Sequence, residues 1–206
     1  MDPALTDRLL AALFPPAPAD SSPAPEVYAV LDGARDARIY RAVYDSRLDH
    51  ECLFSGDIPH DLAEAAPYLV HLRREAPFTR WLVEDGWGQS FGVFAWSRAD
   101  IEALRRHFRR LLRVRDEQGR KLYFRYYDPR VLRRYLPTCT ADELREVFGP
   151  VGRLLAEGEQ GQVMGYSQGG RPLAIRETPD LGRAVAPVPA EGINRSAAAA
   201  PRSEDR

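Results

Sequence analysis

The stretch LRRHFRRLLRVRDEQGRKLYFRYYDPRVL, residues 104–132, contains the clearest secondary-structure signals in the chain. Together with Ile101, its apolar residues recur at positions 101, 104, 108, 111 and 112, the spacing of one buried stripe on an amphipathic helix. Ser97 precedes this run and predicts the N-cap. Asp100 follows three residues later, as in a variant of the capping box. The pattern therefore predicts a helix with one apolar face and one arginine-rich face.

The second half of the same stretch predicts a turn, a strand and a new helix. The polar sequence DEQG forms the turn, and the apolar run Lys121 to Tyr127 is typical of a strand. Asp128 and Pro129 then predict a helix start, with Asp128 as N-cap and Pro129 at the first helical position.

Outward from this stretch, strand patterns alternate with helix patterns. Strand-like runs cover 27–31, 52–54, 67–72 and 91–96, and helical patterns cover 36–48 and begin again at Pro77. Downstream, a T-x-x-E capping box at Thr140 predicts a last helix, and the runs 151–155 and 162–166 predict a hairpin. The alternation predicts an α/β fold, with a mixed sheet, flanking helices, a single compact lobe and a reduced C-terminal hairpin region.

Both ends of the chain differ in composition from the middle. Residues 1–25 predict a short helix from Thr6 to Phe14 and a proline-rich linker. The compact lobe is assigned to residues 26–151, and a small hairpin or variable region to residues 152–176. Residues 177–206 are rich in Pro, Ala, Gly and charge, which predicts a disordered tail.

Composition excludes several classes of protein. The chain has 206 residues and a formal net charge of -1, which gives no support to a nucleic-acid or membrane protein as a whole. Two cysteines, Cys52 and Cys139, are too few for a disulfide scaffold or a four-cysteine zinc site. No apolar run is long enough to span a bilayer, and the N-terminus lacks a signal peptide pattern. We therefore expect a cytoplasmic protein without a metal or other cofactor.

The charge is unevenly distributed along the chain. Residues 97–135 hold 13 basic and 5 acidic residues, a net charge of +8, with aromatic residues between them. Three interpretations remain open: a solvated face with internal ion pairs, a surface for an acidic protein partner, or a nucleic-acid-binding module.

A catalytic set of Asp32, His107 and Asp128 is a further alternative, since both acids follow predicted strands. No G-x-S-x-G nucleophile motif accompanies them, and both acids have structural explanations as a turn residue and a cap.

The remaining histidines, with Cys52, match no metal-ligand spacing. Trp87, in the loop EDGWGQS, is either a core residue or an exposed interface anchor.

Six segments in succession resemble one known family. They are YAVLDGARDARIY (28–40), CLFSGDIP (52–59), APYLVHL (66–72), FTRWLVEDGWGQSFGVFAWS (78–97), ALRRHFRRLLRVRDEQGRKLYFRYYDPRVLRRYLPTC (103–139) and FGPV (148–151). This succession resembles the type VI secretion effector adaptor/chaperone family, the Tap or TEC proteins, long described as a domain of unknown function.

The resemblance implies a non-enzymatic bacterial protein of the cytoplasm. Such proteins bind a cognate secreted toxic effector and help load it onto the spike (VgrG-type) protein of the secretion machine. The family has a conserved lobe followed by a variable lobe that helps choose the effector. Little chain remains after Val151 here, so the effector is expected to bind the conserved lobe and the short hairpin.

The resemblance also divides the candidate residues into two groups. Arg125 and Arg130 belong to the first group, although each could instead pair with Asp32 inside the fold. The expected partner-binding residues are Trp87, Arg105, Arg106, Arg109, Arg110, Arg113, Arg125, Tyr127, Arg130 and Arg133. The expected structural residues of the family motif are Asp32, Gly33, Pro67, Tyr68, His107, Phe124, Asp128 and Pro129.

Overall fold

The computed structural model describes residues 2–14, 23–115, 118–167 and 174–177. Its centre is a seven-stranded sheet with the strand order β2-β3-β1-β4-β7-β8-β9. The strands are β1 (Glu26–Asp32), β2 (His50–Cys52), β3 (Pro67–Leu72), β4 (Gly92–Ser97), β7 (Val151–Glu157), β8 (Val163–Ser167) and β9 (Ala174–Glu177). A separate two-stranded ribbon pairs β5 (Arg113–Arg115) with β6 (Lys121–Tyr123).

Seven α-helices accompany the strands in the described residues and confirm the predicted α/β class. They are α1 (Pro3–Leu13), α2 (Ala37–Ser46), α3 (His60–Glu64), α4 (Pro77–Gly86), α5 (Ile101–Leu111), α6 (Pro129–Tyr135) and α7 (Ala141–Phe148). The sheet differs from a mixed sheet in one respect, because every pairing in the described residues is antiparallel.

The helices cover both faces of the sheet. One apolar core includes residues of α1, α2 and α4, and the other includes residues of α5, α6 and α7. Strand β1 lies between the two cores. Val27 and Leu31 face the first core, whereas Tyr28 and Val30 face the second. Burial on both faces explains why this strand is apolar at successive positions.

Helix α1 packs against the lobe. Its residues Leu9 and Leu13 are fully buried, and the indole nitrogen of Trp96 donates a hydrogen bond of 2.7 Å to the carbonyl of Leu13. Complete burial of a leucine side chain stabilises a fold by about 1.5–3 kcal/mol. The N-terminal helix is therefore part of the core, although residues 15–22 of the predicted linker lie outside the described residues.

The predicted C-terminal hairpin is confirmed, and it belongs to the main sheet. Strand β7 pairs with β4, and β8 pairs with β7. Val163 of β8 lies in the same core as the leucines of α1. Residues 178–206, the greater part of the predicted tail, lie outside the described residues.

Three local predictions were wrong. The N-cap of α5 is Asp100, whose carboxylate accepts a 2.7 Å hydrogen bond from the Ala103 amide, whereas Ser97 ends β4 and donates to the Pro150 carbonyl. The strand predicted to reach Tyr127 ends at Tyr123. Helix α3 forms within a segment predicted to be a loop. The sequence does not reveal this helix because it is only five residues long and none of them is buried.

Candidate functional site

Helix α5 separates its apolar and basic residues as its spacing predicts. Leu104, Phe108 and Leu111 are buried in the second core, and the arginines lie at intermediate or exposed positions. Arg105 forms an ion pair with Glu51 at 3.3 Å, and Arg106 approaches Glu102 at 3.8 Å. These two arginines are therefore partly neutralised within the fold.

Arg109, Arg110 and Arg113 differ from these two arginines. None of the three forms an ion pair or a side-chain hydrogen bond with another residue in the part of the chain that the structure describes. Arg109 and Arg110 lie in the last turn of α5, and Arg113 follows directly. Guanidinium groups that have no ionic partner among the described residues are suited to bind carboxylates.

These three arginines line a cavity of about 600 Å³ beside α5. Leu112 is also part of the lining and is buried. No acidic residue lines the cavity among the residues described. We name this feature the α5 groove: its basic side consists of Arg109, Arg110 and Arg113, and its apolar side consists of Leu53, Phe54, Ile58, Leu62 and Tyr123.

Exposed apolar side chains concentrate near the α5 groove. The large hydrophobic residues that are most exposed in the described part of the chain are Tyr44, Leu62, Leu122 and Tyr123. Leu62 and Tyr123 line the groove, and Leu122 is the neighbour of Tyr123 in β6. Phe54 contacts the Tyr123 ring edge-on at a centroid distance of 5.9 Å. Exposed apolar surface bordered by charged groups is typical of an interaction site.

His107, by contrast, has a structural position. Its side chain is buried, and its Nε2 atom lies 2.9 Å from the carbonyl oxygen of Val147, which joins α5 to α7. Burial lowers the pKa of His107, although the hydrogen bond to Val147 opposes the shift. Gly149 lies directly against the ring, and a Cβ atom there would approach the imidazole to 2.5 Å. This contact explains the glycine after α7.

Arg125 binds Asp32 and therefore joins the segment before α6 to the end of β1. The Asp32 side chain is 2% exposed, and the Arg125 side chain is 45% exposed. Burial raises the pKa of Asp32, and the charge and hydrogen bond of Arg125 oppose the shift. Arg125 was expected to pair either with Asp32 or with a partner protein, and the structure shows the pair with Asp32.

Arg130 and Asp128 form a second pair close by. The Asp128 carboxylate accepts hydrogen bonds from the Arg130 amide at 2.9 Å and from the Arg130 guanidinium at 2.6 Å. Burial raises the pKa of Asp128, but these bonds outweigh it, so the pKa lies below its ordinary value. Asp128 caps α6 as predicted, and Pro129 occupies its first position.

Two other expected partner-binding residues lie inside the fold. Tyr127 is 3% exposed and stacks edge-on against Tyr126, and burial raises its pKa to about 12. Arg133 donates a 2.6 Å hydrogen bond to the Glu157 carbonyl, which fastens α6 to β7. The expected partner-binding role of Tyr127 is therefore wrong, because its side chain is in the core. Arg133 is partly buried, and its guanidinium is bound to β7.

Trp87 is also buried, at 4% exposure, and the prediction of an exposed anchor is wrong. Its indole nitrogen donates a 2.7 Å hydrogen bond to the Gly161 carbonyl in the turn after β7. The glycines beside it allow the loop to fold back: Gly88 has a φ of +85°.

Glu157, which no sequence pattern singled out, organises this loop. Its buried carboxylate accepts hydrogen bonds from the Gly88 amide and from both the amide and the hydroxyl of Ser90. Burial raises the pKa of Glu157 in spite of these bonds. The sequence contains one signal for this role, since Glu157 is an acidic residue at the end of an apolar, strand-like run.

The remaining residues of the family motif occupy packing positions. Gly33 donates to the Ala66 carbonyl at 3.0 Å, and a Cβ atom on it would meet the Glu64 carbonyl oxygen at 2.4 Å. Pro67 begins β3, and Tyr68 is fully buried with its hydroxyl bonded to the Ala63 carbonyl. Phe124 packs edge-on against Tyr135 at 4.5 Å.

The three candidate catalytic residues are not assembled into one site. Asp32 and Asp128 interact electrostatically and are each bound to an arginine, whereas His107 contacts α7. Within the described ranges, no group of three or more His, Cys, Asp or Glu side chains is arranged to hold a metal ion. Cys52 and Cys139 are free thiols.

None of the helices in the described part of the chain has both the length and the apolar character needed to cross a membrane.

Comparison with known proteins identifies the family. A family model described as a domain of unknown function, DUF4123, matches residues 27–146. This range is nearly the same as residues 28–151, over which the sequence motifs show their resemblance, and it covers more than half of the 206 residues. Neither the curated proteins nor the solved structures gave a match. The chain belongs to the DUF4123 family.

Proposed function

We propose that this chain is a cytoplasmic adaptor that binds a type VI secretion effector and promotes its loading onto a spike (VgrG-type) protein. DUF4123 domains are known in the context of type VI effector chaperones, and the sequence motifs agree with that context. The adaptor acts by binding partners and catalyses no reaction.

The α5 groove is the observation that supports this function best. It combines apolar side chains with arginines that have no ionic partner among the described residues, on a surface of the conserved lobe. Protein interfaces are enriched in arginine and aromatic residues and depleted of other charged residues at their centres. A lobe whose exposed apolar residues border such a groove has the chemistry of a protein-binding module.

The contacts of the former catalytic candidates also support binding rather than catalysis. Asp32 and Asp128 each hold an arginine, and His107 holds the carbonyl of Val147. Asp32 and His107 each join two elements of the fold, and Asp128 caps α6.

A nucleic-acid-binding function is less well supported. Several arginines of the +8 segment are paired within the fold, including Arg105, Arg125 and Arg130. Binding to a nucleic-acid backbone depends on free cations that release counterions. Aliphatic side chains also form much of the apolar side of the α5 groove, whereas bases stack on aromatic platforms.

Co-purification tests the proposed function. The tagged full-length chain is expressed with the proteins encoded beside its gene, and bound proteins are identified after affinity capture, with the tag alone as control. We expect an effector and a spike protein in the eluate. Recovery of neither would overturn the proposal.

A further inference from the structure

We propose that the α5 groove binds an acidic amphipathic segment of the partner protein, in which carboxylates alternate with apolar side chains. The inference rests on the proposed function for the identity of that partner. The chemistry of the segment follows from the groove itself and goes beyond the adaptor role.

The basic side of the groove determines the charge of the occupant. Arg109, Arg110 and Arg113 lack partners in the described residues and lie within about one helical turn of each other. Three guanidinium groups this close repel one another and favour a ligand that supplies carboxylates. Arginine binds carboxylates in a bidentate geometry, which gives both affinity and orientation.

The apolar side determines the rest of the occupant. Leu62 is 44% exposed and Tyr123 is 48% exposed, so both leave apolar surface in contact with water. A free carboxylate-bearing metabolite would satisfy the arginines and leave this surface uncovered. An amphipathic peptide satisfies both sides at once, as in helix-in-groove recognition.

The dimensions of the groove agree with this occupant. A cavity of about 600 Å³ accommodates a small number of side chains from a partner segment. Carboxylates one turn apart on a helix are separated by about 5–6 Å. Because Arg109, Arg110 and Arg113 line one cavity, a segment with carboxylates at this spacing presents more than one of them to the basic side of the groove.

Fluorescence anisotropy with defined peptides tests the inference. The probe is a fluorescein-labelled peptide of about five helical turns with Leu on one face and Glu flanking it. The controls replace Glu by Lys in one peptide and Leu by Ser in another. We expect the acidic amphipathic peptide to bind the full-length chain at least about tenfold more tightly than either control.

Matched variants of the chain assign the binding to the groove. Arg110→Glu with Arg113→Glu is compared with Arg41→Glu with Arg134→Glu, which changes the charge equally at exposed positions outside the groove. Leu62→Ser is compared with Leu122→Ser, since Leu122 is equally exposed but does not line the cavity. Thermal melts verify that all variants fold.

The expected result is binding weakened by about tenfold or more in both groove variants and unchanged in both controls. Equal binding of all peptides, or equal loss in groove and control variants, would overturn the inference. The same conclusion would follow if a single-stranded oligonucleotide of about 20 nucleotides bound more tightly than the acidic peptide and lost affinity in the groove variants.

Affinity capture separates this inference from the proposed function. If Arg110→Glu with Arg113→Glu still captures the effector and spike protein as the wild type does, the adaptor function stands and the groove inference fails. If the wild type binds the acidic peptide at the groove but captures neither protein, the groove inference stands and the adaptor function fails.

Discussion

Asp32 and Arg125, which are 93 residues apart in sequence, form an ion pair in which the acid is buried and the arginine is half exposed. Truncation of Arg125 to methionine leaves a buried carboxylate without its cation. Loss of one partner of a buried pair costs about 3–5 kcal/mol, and the half-exposed arginine reduces this to about 2–3 kcal/mol. Urea denaturation of the Arg125→Met variant measures the loss in free energy of unfolding.

The control for Arg125→Met is Arg38→Met. Arg38 pairs with Asp36 at 2.8 Å, but its side chain is 56% exposed and water screens the pair, so the loss should be much smaller than that of Arg125→Met. Equal losses in the two variants would show that burial of Asp32 does not increase the contribution of its ion pair to the free energy of unfolding.

The pH dependence of the Arg125→Met variant provides a second test. Burial raises the pKa of Asp32 above the ordinary value of 3.8, and removal of Arg125 raises it further. An acid whose pKa is raised in the folded state loses stability as the pH rises through that pKa, because the unfolded state ionises first. The deficit of the variant relative to wild type should therefore shrink as the pH falls from about 7 toward 4. A deficit that is constant with pH would contradict this explanation.

Helix α1 can be tested through Leu9. Its side chain is fully buried in the first core, so Leu9→Ala should lower the free energy of unfolding by about 2–5 kcal/mol. Asp7→Ala, on the same helix, removes only an exposed contact with Arg80 and should cost less than about 1 kcal/mol. A Leu9 variant as stable as wild type would mean that α1 leaves the lobe in solution.

Substitution of Trp87 tests whether this residue is a core residue or an interface anchor. Trp87→Phe keeps an aromatic ring but removes the hydrogen bond to Gly161, which should cost about 1–2 kcal/mol. Because the indole is buried, binding of the acidic peptide should remain unchanged. Weaker binding of the peptide without a change in the melting temperature would show instead that Trp87 is an interface residue.

Much of the fold could be predicted from the spacing of apolar residues. The buried stripe of α5, the doubly covered strand β1 and the capping box of α7 all depend on local patterns that the structure confirms. Short elements were less predictable: α3, which has no buried residue, was missed, and the strand expected to reach Tyr127 ends at Tyr123, before the buried Tyr126 and Tyr127.

The candidate site was only partly predictable, because sequence spacing places arginines on a helix but does not pair them. Arg125, Arg130 and Arg133 find partners inside the fold, whereas Arg109, Arg110 and Arg113 have no ionic partner among the residues that the structure describes. Those partners are carboxylates or carbonyls of other segments, except that Asp128 is local to Arg130. Likewise, the contacts of Glu157 with the Gly88 loop join residues about 70 positions apart.

The packing of α1 beside β8 has a consequence for the biosynthesis of this protein. Leu9 and Val163 belong to the same core, so α1 cannot complete its packing until β8, which follows it in the chain, has been synthesised. Until β7 is made, β4 also presents an unpaired edge. The sheet of the nascent lobe is therefore complete only after β7 and β8 have been synthesised. Truncation near residue 151 would leave the edge of β4 permanently open to self-association.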